Sequence, residues 1–81
     1  LELNKTNRQL KDAENKVNLS KLALEQSQEA YRIRSNRFTQ GLEKTTDLLQ
    51  SETLMFQKEL EFLQAVFEYN FTQNYLHFLT K

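Results

Sequence analysis

The side chains able to do chemistry are few in this 81-residue chain, and they are scattered. There is one histidine and no cysteine, so neither a thiolate nucleophile nor a thiolate metal site is available. His77 has no acidic neighbour at helical spacing to orient it, and it reads as a cation near a helix end rather than a general base. Glu52 with Glu59, and Glu61 with Glu68, are carboxylate pairs one heptad apart. That spacing describes a solvated or salt-bridged helix face more readily than an acid–base pair. Arg32, Arg34 and Arg37 suggest phosphate binding. On a helix, however, the second and third point about 200° and 140° away from the first, and cations are favoured in a helix's last turns anyway. Asn4-Lys5-Thr6, Asn18-Leu19-Ser20 and Asn70-Phe71-Thr72 match the glycosylation sequon by chance in an Asn- and Thr-rich chain. No enzyme and no cofactor is expected. Asp47 is a first-turn carboxylate that the helix dipole favours, and any further role depends on its neighbours.

The elements that carry these residues follow from composition. One glycine, no proline and no tryptophan leave room for about one sharp turn, which rules out sandwiches, barrels and doubly wound sheets. Eleven basic and eleven acidic residues cancel, so no net field recruits nucleic acid. No apolar run approaches the roughly 18 residues that span a bilayer. The chain opens on Leu1 without Met or a signal peptide, as a piece of a longer protein would.

Periodicity predicts two helices. Leu3, Leu10, Val17, Leu24, Tyr31 and Phe38 recur every seven residues, with Thr6, Ala13, Ser20, Ser27 and Arg34 three positions on. This large-then-small seam is coiled-coil patterning that lets a partner helix approach closely. Gly41 then supplies the left-handed residue that ends a helix. Thr45, Thr46 and Asp47 read as N-cap and first-turn residues, and Asp47 with Gln50 has capping-box spacing. The expectation is an all-α antiparallel two-helix coiled-coil hairpin over 1–81: helix 1 about 1–39, turn about 40–45, helix 2 about 46–80.

The second helix is broader. Leu42, Leu49, Phe56 and Leu63, with Thr53, Leu60 and Phe67, form one stripe. Leu48, Met55, Phe62, Tyr69 and Leu76 form another, and seven of the nine aromatics lie beyond Gly41. The two stripes span an arc of about 140°, more than one narrow seam covers, so further helices are expected alongside. Residues 1–40 carry +3 and residues 41–81 carry −3, which favours folding back. Reflection about the turn sets Glu52 against Arg32 or Arg34.

From Leu24 onward the sequence resembles the TolC family of outer-membrane efflux and secretion channels. The resemblance rests on Phe38-Thr39-Gln40-Gly41-Leu42, on Asp47-Leu48-Leu49 at fixed distance beyond, and on a long amphipathic helix ending Leu76 and Leu79-Thr80. It implies that the hairpin is part of an α-helical barrel, the periplasmic portion of a Gram-negative outer-membrane protein, which this segment does not itself span. The implied partners are a homotrimer, a periplasmic adaptor (membrane fusion) protein and an inner-membrane pump. Gly41 and Leu42 would form the adaptor-docking tip. Asp47, with Glu43, Gln50 and Phe38, would line the tunnel entrance, three copies of Asp47 making an acidic ring. Phe38 stands where the best-known channel has a tyrosine, Glu43 where it has an arginine, Gln50 where it has a second ring aspartate, and Lys81 where many members have glycine. The network holding the entrance closed would therefore be built differently. The alternative reading is a standalone coiled-coil tethering or scaffold module.

Overall fold

The computed structural model describes residues 2–80, with side chains from Asn4 onward. Leu3 and Lys81, both used above, lie outside the described side chains. Two helices, α1 (Glu2–Thr39) and α2 (Thr45–Thr80), pack against each other as an extended hairpin. The rod measures 59 × 14 × 13 Å, the length that 38 helical residues at about 1.5 Å each must reach. Among the described residues there is no strand.

The seam forms as the heptads require through most of α1. Leu10, Ala13, Val17, Ser20, Leu24 and Tyr31 are half-buried, while Thr6 and Ser27 are buried. Near the turn it drifts. Ser35, not Arg34, is the half-buried companion of Tyr31, and Phe38 is exposed. An α-helix of 3.6 residues per turn falls behind a seven-residue repeat by about 20° per heptad, which moves the last contact on by one position. From α2 the seam takes Leu48, Met55, Phe62, Tyr69 and Leu76, interleaved with Ser51, Lys58, Ala65 and Thr72. Ala65 is fully covered, with 0% of its surface exposed.

The other stripe of α2 is left bare. Leu49, Phe56, Leu60, Leu63, Phe67, Phe71 and Phe78 are all exposed, Phe67 at 71%. On the helical wheel they stand about 100° to 180° from Phe62, off the seam, with Phe67 and Phe71 also edging a groove shared with α1. Leu19, Leu22 and Ile33, outside every heptad stripe, are also exposed. These lie about 160° to 220° from Leu24, on the outer flank of α1. The hairpin thus has two apolar outer edges, a rich one on α2 and a sparse one on α1. Its total accessible surface is 6398 Å², where a compact globule of this mass would show about 5,100 Å².

The interhelical pairings correct the expected partner of Glu52. Its Oε2 accepts a hydrogen bond from the Tyr31 hydroxyl at 3.2 Å, not from an arginine. Arg32 turns along its own helix to Glu29, and Arg34 reaches the turn. Reflection about the turn was right to within one residue, but one residue is about 100° of rotation on a helix. Arg32 is therefore off the seam that Tyr31 occupies. The opposite charges of the two arms give one helix-to-helix ion pair among the described residues, Lys16 Nζ to Glu68 Oε2 at 3.1 Å. Both side chains are more than half exposed, so the pair contributes about 0.2–1 kcal/mol.

The Tyr31–Glu52 contact has a pH signature. The hydrogen bond to Glu52, helped by desolvation and by the carboxylate's charge, raises the Tyr31 phenol above its ordinary value. A group raised in the folded state stabilises fully below its unfolded pKa and loses that contribution as pH rises through the folded one. Wild type should therefore melt above Tyr31→Phe at pH 7 and lose that margin above about pH 10. Thermal unfolding of both forms across that range checks it; parallel curves would remove the contact's role.

Candidate functional site: the hairpin tip

α1 stops by a hydrogen-bond pattern that its sequence specifies. Gly41 sits at φ +77°, in the region glycine enters at no steric cost. The Gly41 amide donates to the Phe38 carbonyl at 2.9 Å, and the Leu42 amide to the Arg37 carbonyl at 2.8 Å. Together these form a Schellman motif. Leu42, next in line, projects 62% exposed.

α2 starts one residue earlier than expected, and its cap differs. The Leu48 amide donates to the Lys44 carbonyl at 3.1 Å, which makes Lys44 the N-cap and Asp47 the third helical residue. The capping box expected from Asp47 and Gln50 therefore does not form, because Asp47 is already inside the first turn. Asp47 is half-buried as a residue, and its carboxylate makes no hydrogen bond or ion pair among the described residues. It keeps the dipole-favoured position at the helix start. Gln50, one turn on, is exposed.

Glu43 is the most constrained residue of the tip. Its Oε1 accepts from Arg34 Nη1 at 3.0 Å and its Oε2 from Arg37 Nε at 3.0 Å. Its side chain is only 10% exposed in an otherwise exposed turn. Arg34 and Arg37 are about 60° apart on the wheel, so they converge although Arg32 points elsewhere. Taken as a set of three, the arginines show no shared face, which hides the convergence of Arg34 and Arg37. The i, i+3 spacing followed by an acid just past the glycine was the available signal.

The structure thus brings Phe38, Gly41, Leu42, Glu43, Asp47 and Gln50 to one end of the rod, 36 residues' length of helix from its other end. They make an apolar, charged knob, not a cleft. Among the described residues no group of three or more His, Asp or Glu is placed to hold a metal. No helix among them is long and apolar enough to cross a membrane. Toward the far end, Phe67 and Phe71 line an open groove with Ala13 and Lys16. Compared with known proteins, the chain matches no family model, no curated protein and no solved structure.

Proposed function

We propose that this hairpin is a tunnel segment of a trimeric outer-membrane channel for efflux or type I secretion, with its turn at the periplasmic entrance. The observation that carries the reading is the uncovered apolar flank of α2, opposite a seam that α1 already fills. A hairpin with two apolar outer edges is built to stand between neighbours on both sides. Repeating one α2-to-α1 contact from copy to copy is a heterologous interface, which closes into a ring when the rotation allows. The charges agree, since the acidic α2 of one copy would meet the basic α1 of the next. A closed ring of helices encloses a passage, and conduction through it needs no covalent chemistry.

In this reading the tip faces a periplasmic adaptor, with Gly41 and Leu42 as its docking point, and an inner-membrane pump supplies the energy. Asp47 carries an unpaired carboxylate near the turn, and three copies around a narrow entrance would attract cations. Single-channel recordings of the intact protein test this directly. Asp47→Asn should weaken cation preference; an unchanged preference, or no pore at all, would retire the assignment. Leu42→Asp should weaken adaptor binding about tenfold or more, as loss of an interface anchor does, while trimers persist. The bare flank equally suits a coiled-coil module that tethers one partner helix. That second reading is favoured if the intact protein forms no pore yet captures a partner along α2.

A further inference from the structure

We propose that Glu43 is the positioning residue of the tip, its carboxylate held by Arg34 and Arg37 so that the turn, and Leu42 with it, has one fixed stance. The connection is short and physical. Arg37 contributes twice: its carbonyl accepts the Leu42 amide and its guanidinium holds Glu43 Oε2. The backbone bond fixes residue 42 against the last turn of α1, and the side-chain bond fixes residue 43 against the same turn. Arg34, one turn earlier, takes the other carboxylate oxygen. Both oxygens are thus committed to α1, across a turn that no other side-chain ion pair among the described residues ties down.

The two guanidinium groups are about half exposed, whereas the carboxylate is nearly covered by them. A charge pair of this exposure is weakened by salt and by competing anions. The tip is therefore stiff at low ionic strength and looser at high ionic strength. This inference stands on the geometry of the turn; only the identity of what docks at Leu42 rests on the channel reading above.

The test is hydrogen exchange on the intact protein, read at the Gln40, Gly41 and Leu42 amides, whose bonds close the end of α1. Glu43→Gln should raise their exchange roughly two- to thirtyfold, the range two half-exposed charged contacts support. Arg34→Gln, which leaves one contact, should give a smaller rise. Reversing all three charges (Glu43→Arg with Arg34→Glu and Arg37→Glu) should bring exchange back toward wild type, which a packing defect would not do. Molar salt should shrink the gap between wild type and Glu43→Gln. Exchange unmoved by Glu43→Gln, or a gap indifferent to salt, would overturn the proposal. An intact protein that forms no pore would sink the channel reading and leave the exchange result to judge the clasp by itself.

Discussion

Leu63→Glu combined with Phe67→Glu should abolish lateral assembly of the hairpins while leaving each hairpin folded. Both residues are more than half exposed on α2. In an isolated hairpin, surface substitutions of this kind stay within about 0.5 kcal/mol. In an interface core the same two changes remove large apolar anchors and bury charge, costing about 2 kcal/mol or more each, roughly a thousandfold in association. The contrast between the two outcomes is the diagnostic. Leu60→Cys with Leu22→Cys supplies the readout, because these positions lie on opposite outer flanks of one hairpin and cannot meet within a chain. A short bismaleimide cross-linker should then join copies of the otherwise unaltered intact protein up to trimers. The paired glutamates should erase that ladder without changing the helical circular dichroism. A ladder that survives them would mean the α2 flank is covered by something other than a second copy.

The flank that drives this prediction was legible before any coordinates. Leu49, Phe56, Leu63 and Phe67 recur on one side of a helix whose other side already carries a complete seam, and periodicity alone reports that. Gly41 was legible too, because only one residue in the chain suits the left-handed position. What escaped the sequence was side-chain choice between near-equivalent partners. Glu52 had a tyrosine and two arginines within two residues of the reflected register, and helical rotation decided for Tyr31. Lys44 is a poor N-cap by residue type, so Thr45, Thr46 and Asp47 drew the assignment. The backbone path out of the Schellman motif fixed the helix start instead. Leu19, Leu22 and Ile33 share a flank by helical angle, but three residues over about four turns are too sparse to stand out as a stripe, and only the filled seam shows that this flank faces outward.

Ala65→Leu should destabilise the hairpin itself, and so separates the covered side of α2 from the bare one. Ala65 has 0% of its surface exposed and lies in the seam between Phe62 and Tyr69, where α1 offers Ala13, Ser20 and Ser27 among its seam residues. Helix axes that meet over alanine and serine sit near 8 Å, whereas leucine requires nearer 10 Å. Three added carbons cannot be housed without moving one helix or forcing rotamers, at a cost of about 1–3 kcal/mol. Thermal or denaturant unfolding of the intact protein's helical part should show that loss, and a loss under about 0.5 kcal/mol would mean the seam is looser than the burial of Ala65 implies. Leu63 is two residues away on the same helix, yet it points outward. Its substitution and that of Ala65 therefore act on different contacts, within a chain and between chains. The monomer unfolding free energy should follow Ala65 and ignore Leu63, while the cross-linked trimer yield should respond to both. Wider helix spacing in each copy also shifts the flank that meets the next, so in the assembled state the two effects should couple rather than add.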